Sequence, residues 1–155
     1  MNVQIADEHP SSGVDADLIR TWAEATLRAE GYPPTTEVAV TLLPDEDMAV
    51  CNQDALGKGG PTDVLSFPVE SLRPGQIPPI DAQGPPLLIG DVVIAPDYVR
   101  RQAQTLDVDP DDELALMITH GILHLLGYDH AEDDDAEQME DRERQILDSL
   151  GRSRR

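Results

Sequence analysis

The chain of 155 residues, 39% of them hydrophobic, is long enough for one domain with its own core, and its single cysteine, Cys51, excludes both an internal disulfide and a cysteine-based zinc site. The formal charge of −20 favours a soluble monomer and argues against long-range attraction to nucleic acid or to an anionic membrane. No apolar run reaches membrane-spanning length and no signal peptide is evident, so we expect a cytoplasmic protein with no membrane partner.

Hydrophobic periodicity and break residues divide the chain into strands and helices. An aspartate side chain can accept hydrogen bonds from the free N–H groups of a first helical turn, so Asp15 and Asp109 predict helix starts, the second reinforced by Pro110. Alternating β-branched residues predict strands. The predicted order is strand 2–6, loop 7–13, helix 15–30, strand 37–43, helix 44–56, loop 57–60, a strand within 61–70, loop 71–86, strand 87–95, helix 96–106, the helix that begins at Asp109, and helix 133–150.

The order βαβαββααα, with the most apolar helix late in the chain, predicts an α+β fold. We expect a small mixed sheet of about four strands covered by helices, with the apolar helix at its centre. Gly90 and Asp91 interrupt the strand 87–95, which predicts a bulge or a close backbone approach at that point. We predict a single domain over residues 1–151 and a flexible basic tail over residues 152–155.

Three of the four histidines lie within the eleven residues HGILHLLGYDH, at 120–130. His120 and His124 are four residues apart, so on a helix their imidazoles lie on one face, a single turn apart. Gly127 can adopt a left-handed conformation that ends the helix and turns the chain, which brings His130 back towards the first two rings. A lone histidine on an apolar helix is more often a hydrogen-bonded core residue, but three histidines at this spacing predict a metal site.

The predicted ligand set indicates a catalytic zinc ion, one per chain. Three imidazoles leave one coordination position open, whereas structural zinc sites are closed by four protein ligands. The spacing equals that of the metalloprotease motif HExxHxxGxxH, but Gly121 stands where that motif has its general-base glutamate. We therefore assign the chemistry to a zinc-bound water and not to a side chain, and we interpret Gly121 as room for a substrate group beside the metal.

The motif HGILHLLGYDH, together with PTDVLSFP (61–68) and IGDVVI (89–94) before it, resembles the YbeY family of bacterial zinc-dependent endoribonucleases, the rRNA maturation factors. The resemblance covers roughly residues 35–150. It implies a one-zinc, single-strand-specific RNase that acts in 16S rRNA 3′-end maturation and ribosome quality control. Its partners would be ribosomal RNA and the ribosomal small subunit, with no role for DNA. By position, the resemblance makes the zinc ligands His120, His124 and His130.

The chain departs from that family at one point that concerns substrate binding. Many members carry an aromatic-arginine pair where this chain has Ala55 and Leu56. An arginine there would bind phosphate through a planar, bidentate guanidinium group. We predict that Lys58, two residues further on, supplies the positive charge and binds the substrate.

Two other functions are compatible with the same residues. A zinc peptidase would share the histidine spacing, although Gly121 removes its base. A non-catalytic ribosome-assembly factor would use zinc only to tie the last helices to the domain, with an aspartate in the fourth position.

Asp129 has two possible roles, since it could accept a hydrogen bond from a ligand imidazole or cap the turn after Gly127. The nucleophile of the nuclease reaction, water or the ribose 2′-hydroxyl, is also left open.

Overall fold

The computed structural model describes residues 1–9 and 11–155, so Pro10, in the predicted loop 7–13, lies outside the described residues. The described chain forms four strands and five helices in the predicted order. They are β1 (Asn2–Asp7), α1 (Ala16–Ala29), β2 (Thr36–Leu42), α2 (Asp45–Leu56), β3 (Val64–Pro68), β4 (Leu87–Ile94), α3 (Pro96–Leu106), α4 (Pro110–Leu125) and α5 (Asp133–Ser149).

The strands form one mixed sheet in the spatial order β1-β2-β4-β3. The pairs β1/β2 and β2/β4 are parallel, whereas β3 pairs antiparallel with β4 at the edge of the sheet. The parallel pairs are joined by connections that contain helices, because a parallel partner must start at the same end of the sheet. The predicted α+β class and its four-stranded mixed sheet are confirmed.

The irregularity predicted at Gly90 is present in β4. Between Glu37 and Ala39 the register of β2 against β4 shifts, so β4 carries one extra residue there. Gly90 has a φ of 141°, and a Cβ at this position would lie 2.4 Å from the carbonyl oxygen of Phe67 in β3. Only glycine permits this close approach of the edge strand.

Helices cover both faces of the sheet. Val92 and Ile94 of β4 are fully buried in the main core, which α1, α4 and α5 complete. Val93, which points to the opposite face, packs in a smaller cluster with Met48 of α2. Helix α4 contacts three other helices and the strands β3 and β4, so the predicted central position of the apolar helix is confirmed. In the part of the chain that the structure describes, no helix has the length and apolar character needed to cross a membrane.

The arginines of segment 152–155 form ion pairs with acidic side chains of α4 and α5. The Nε of Arg155 lies 2.8 Å from Glu113, and the Nε of Arg154 lies 3.1 Å from Glu143. The segment is therefore in contact with the rest of the fold. Its flexibility in solution and a domain boundary at residue 151 stay predictions.

Candidate metal centre

His120, His124 and His130 come together, as their spacing predicted. One ring nitrogen of each residue lies within 4.8 Å of those of the other two. The Nε2 atoms of His120 and His124 are 3.1 Å apart, and the ring centroid of His130 lies 5.7 Å and 4.9 Å from theirs. A cluster of this kind can hold a metal ion.

The Nδ1 atoms of His120 and His124 are hydrogen-bonded to oxygen acceptors. The Nδ1 of His120 donates to the Glu143 carboxylate at 2.8 Å, and the Nδ1 of His124 donates to the carbonyl oxygen of Tyr128 at 2.9 Å. A neutral imidazole with its proton on Nδ1 carries a lone pair on Nε2. When both rings are neutral in this tautomer, two lone pairs face each other at 3.1 Å and repel, and a shared cation would remove the repulsion. The donor set therefore fits a metal ion on an observation independent of the sequence motif.

The electrostatics of the site keep His124 neutral and Glu143 charged. Burial, together with the neighbouring rings of His120 and His130, lowers the pKa of His124 from 6.5 to about 4. Burial alone would raise the pKa of Glu143, but the hydrogen bond from His120 and the charge of Arg154 outweigh it and hold that pKa below its usual value. A neutral ring can bind a metal, and the carboxylate beside it can balance part of the metal's charge.

Glu143 was not predicted as a site residue. It is 1% exposed and lies on the buried face of α5, in line with Met139, Ile146 and Leu147. A carboxylate within the apolar stripe of an amphipathic helix was the available signal, because a buried charge requires a partner. The sequence could not identify that partner, since His120 is 23 residues away.

The turn that carries His130 is held from two directions. Gly127 has a φ of 100°, as the predicted left-handed turn required, and a Cβ there would lie 2.2 Å from the carbonyl oxygen of Leu72. The loop between β3 and β4 therefore lies directly against this turn. From the other direction, the hydroxyl of Tyr128 donates to Glu30 at 2.8 Å, and burial with this hydrogen bond raises the pKa of Tyr128 to about 12.

Asp129 caps this turn. Its carboxylate accepts the backbone N–H of His130 at 2.7 Å. The Nδ1 atoms of His120 and His124 donate to Glu143 and Tyr128, as described above, and not to Asp129. Of the two roles that the sequence left open, the structure favours the cap.

The interpretation of Gly121 as space for a substrate group is wrong. A Cβ at Gly121 would lie 2.7 Å from Val92 and 3.2 Å from Val64, so this glycine faces the sheet and not the metal site. The hydroxyl of Ser66 in β3 donates to the carbonyl oxygen of Gly121 at 2.9 Å. Glycine thus lets α4 lie close to the edge strand, which brings the histidines beside β3.

The three histidines line a cleft of about 570 Å³. One part of its surface, termed the apolar lining, comprises Ala55 and Leu56 at the end of α2 and Val64–Pro68 of β3. A second part, termed the charged lining, comprises Glu143 of α5 with Arg154 and Arg155. Both parts are continuous with the cavity in which the candidate metal ligands lie.

Lys58, which the sequence predicted to bind substrate, is exposed in the loop after α2. Among the residues that the structure describes, it does not line the cleft, whereas Leu56 does and is 55% exposed. A role of Lys58 in substrate binding stays a prediction. Arg154 and Arg155, which the sequence analysis assigned to a flexible tail, do line the cleft.

Comparisons with known proteins agree with the resemblance seen in the motifs. The family model described as endoribonuclease YbeY matches residues 4–151. A protein of that name from Acidothermus cellulolyticus is 43% identical over 142 residues, which cover 90% of this chain and 85% of the relative. Another from Thermobifida fusca is 41% identical over 155 residues and covers 99% and 96% of the two chains.

A solved structure shows the same fold. The solution structure of a protein from Thermotoga maritima matches with a TM-score of 0.58, covers 96% of this chain and 91% of that chain, and is 24% identical in sequence. At this identity the likeness concerns the fold alone. Because the family model spans nearly the whole chain and relatives share about two-fifths of its residues, the chain belongs to the endoribonuclease YbeY family.

Proposed function

We propose that this protein is a zinc-dependent endoribonuclease that cuts single-stranded RNA at the histidine cluster. Family membership supports the endoribonuclease activity. The metal dependence is supported by the Nε2 atoms of His120 and His124, which lie 3.1 Å apart. The Nδ1 of each ring is already hydrogen-bonded to an oxygen atom. Such a pair directs two ring nitrogens to one point, where a shared cation would bind both.

In this proposal His120, His124 and His130 hold one zinc ion per chain, since three imidazoles suit zinc. A divalent ion supplies Lewis-acid activation of water and of a phosphoryl group. The residues of the chain orient the ligands: Glu143 fixes the ring of His120, and the Tyr128 carbonyl oxygen fixes that of His124. The low pKa of His124 keeps this ring available for metal down to mildly acidic pH.

The absence of an available side-chain base supports chemistry at the metal itself. Among the described residues of the cleft lining, the carboxylates are Asp63 and Glu143. Glu143 is bonded to His120, and Asp63 accepts from the backbone N–H of Val64 at 2.7 Å and from Gln102 at 3.2 Å. With glycine at position 121, the cleft also lacks the glutamate that a peptidase of this spacing uses.

The finer parts of the proposal rest on the resemblance of the motifs. We propose that the substrate is ribosomal RNA, that the protein acts in 16S rRNA 3′-end maturation and ribosome quality control, and that it meets the ribosomal small subunit in the cytoplasm. We further propose one metallohydrolase domain over residues 1–151 and a monomer in solution, which the charge of −20 favours through repulsion between copies.

The test is metal analysis followed by incubation of the protein with single-stranded RNA and, separately, with casein. For the wild type we expect about one zinc per chain and cleavage of RNA. In His124→Ala the affinity for zinc and the rate of RNA cleavage should both fall by at least about hundredfold. His9→Ala is the matched control, because the ring of His9 pairs with Asp97 at 2.7 Å and is not part of the cluster.

Each other outcome identifies a different function. Cleavage of casein but not of RNA would establish the peptidase. Bound zinc with cleavage of neither substrate would indicate the assembly factor. RNA cleavage that is equal in the wild type and in His124→Ala would exclude the histidine cluster as the active site.

A further inference from the structure

Arg154 and Arg155 carry the only positive charges among the described residues that line the cleft. The chain as a whole has 31 acidic and 11 basic residues, so its surface repels polyanions. The cleft lining differs, because it holds two side-chain carboxylates, Asp63 and Glu143, and these two guanidinium groups. Arg155 also pairs with Glu113, which is not among the described lining residues. A divalent cation held by neutral rings would make the cleft positive within an acidic surface.

Of the two arginines, Arg154 is committed to the fold. Its side chain is 15% exposed, and its Nε donates to Glu143 at 3.1 Å while its Nη1 donates to the main-chain oxygen of Arg155 at 2.7 Å. Its Nη2 lies 3.6 Å from Glu140. Since Glu143 in turn accepts from His120, Arg154 acts through Glu143 and is a positioning residue.

Arg155 is hydrogen-bonded to a side chain through the Nε of its guanidinium. Its side chain is 38% exposed, and its Nε donates to the two carboxylate oxygens of Glu113 at 2.8 Å and 3.1 Å. Within the described part of the chain, neither of its Nη atoms has a hydrogen-bond partner. The two NH₂ groups of a guanidinium form a planar fork that matches two oxygens of a phosphate.

The buried carboxylate of Glu113 holds this guanidinium through its Nε. Glu113 is 1% exposed and also accepts from Gln102 at 2.7 Å, so it is held on both sides. An arginine held through its Nε loses less conformational freedom when a ligand binds, which favours affinity.

We propose that Arg155 binds a backbone phosphate of single-stranded RNA in the cleft. The inference rests on the proposed function and deepens it, since it names the group that anchors the substrate beside the histidine cluster. It depends on three observations: the charge of the cleft lining, the Nη groups of Arg155, which have no hydrogen-bond partner among the described residues, and its Nε, which Glu113 holds.

The test compares Arg155→Gln with Arg144→Gln in the zinc-loaded protein. Arg144 lies on α5, pairs with Asp141 at 2.9 Å and does not line the cleft, so both substitutions remove one charge but only one of them alters the cleft. The probe is a fluorescent 2′-O-methyl RNA oligonucleotide, checked to remain uncut, and the dissociation constant is measured by anisotropy at several salt concentrations.

We expect Arg155→Gln to bind about tenfold more weakly, because a charge-assisted contact is lost. The slope of log K against log salt should become shallower by about 0.7, as for one lost phosphate contact on a single strand. Arg144→Gln should match the wild type in both quantities. Arg155→Lys, which keeps the charge but not the fork, should lie between the wild type and Arg155→Gln.

Glu113→Gln separates phosphate binding from a purely structural role. If Arg155 serves only to neutralise Glu113, Arg155→Gln and Glu113→Gln should both lower the midpoint of thermal unfolding and leave RNA affinity unchanged. If Arg155 binds phosphate, Glu113→Gln should bind RNA more weakly than the wild type, because the guanidinium loses the carboxylate that holds its Nε. Should Arg155→Gln fail to fold, Glu113→Gln and Arg155→Lys still decide between the two roles.

The failure of this inference is distinguishable from failure of the proposed function. Equal dissociation constants and salt slopes for folded Arg155→Gln and Arg144→Gln would overturn the role of Arg155, while metal-dependent cleavage by the wild type would leave the proposed function intact. A wild type that neither binds nor cuts RNA would overturn both.

Discussion

The apolar lining and the charged lining of the cleft are assembled in different ways. The apolar lining comes from residues 55–68, which are close in sequence and include the edge strand β3. The charged lining combines Glu143, Arg154 and Arg155, and each of these is held by an ion pair to a distant or buried group. Local sequence patterns specify the first, whereas the second exists only once α4 and α5 have packed together.

The difference also separates two tasks. The charged lining contacts the predicted ligand His120 directly through Glu143, so changes there should affect metal binding first. The apolar lining packs against α4, which is termed the metal helix because it carries the predicted ligands His120 and His124. Val64 lies against Gly121 of this helix, and the hydroxyl of Ser66 donates to the Gly121 carbonyl oxygen. Substitutions there should change the free energy of unfolding or the affinity for RNA more than they change the affinity for metal.

Glu143→Gln should have the largest effect, since it removes the charge that orients His120. We expect metal affinity to fall about 10- to 100-fold, measured by competition with a chromophoric chelator. Glu137→Gln is the control, because Glu137 is an exposed acid on the same helix. Equal metal affinity in the two variants would contradict the role assigned to Glu143.

Gly121→Ala tests the packing of the metal helix against β3 and β4. The added methyl group would contact Val92 at 2.7 Å, and overpacking of about 1–3 kcal/mol outweighs the helix propensity of about 1 kcal/mol that alanine gains. We expect the free energy of unfolding to fall by up to about 2 kcal/mol in urea titration. Gly59→Ala should change it by about 0.5 kcal/mol or less, because an added Cβ there would meet no other described residue within 4 Å apart from its chain neighbours. A stabilised Gly121→Ala would refute the packing role.

Leu56→Arg would give the apolar lining the charge that it lacks. The side chain of Leu56 is exposed and lines the cleft, so an arginine there reaches the same space as the proposed RNA strand. We expect binding of the uncut RNA probe to become about fivefold tighter, with a steeper salt dependence. Leu56→Gln separates the charge from the loss of apolar surface, and equal affinities for the two variants would contradict the expectation.

Lys58→Ala should have the smallest effect. Lys58 is exposed and lies outside the described cleft lining, so its charge would reach an RNA strand only through screened solvent. We expect about a twofold loss of RNA affinity at low salt, which disappears as salt is added, while Lys58→Arg retains wild-type affinity. Wild-type affinity of Lys58→Ala at low salt would end the predicted role of this lysine.

The sequence predicted the parts of this molecule that depend on neighbours along the chain. Helix starts followed from Asp15 and Asp109, whose side chains do accept the N–H groups of the first turn. The histidine cluster followed from a four-residue spacing and a glycine turn. These features are local, because the period of a helix and the φ preference of glycine fix them without a tertiary partner.

The parts that the sequence missed depend on tertiary neighbours. Gly121 was assigned to the substrate because nothing in its local sequence shows that Val92 of β4 lies against it. Glu143 was not predicted as a site residue, because its partner His120 lies on another helix. The arginines after residue 151 resembled a solvated tail, since the buried acid that holds Arg155 is 42 residues away.

The contact between Gly127 and Leu72 has a consequence for protein engineering. Because the backbone of the β3–β4 loop packs directly against Gly127, we expect a graft of the histidine-bearing helix onto a new scaffold to need this loop as well. A graft limited to α4 and its turn would lack the loop surface that packs against the turn before His130. Insertions or deletions beside Leu72 should likewise shift the position of His130, although the two residues are far apart in the chain.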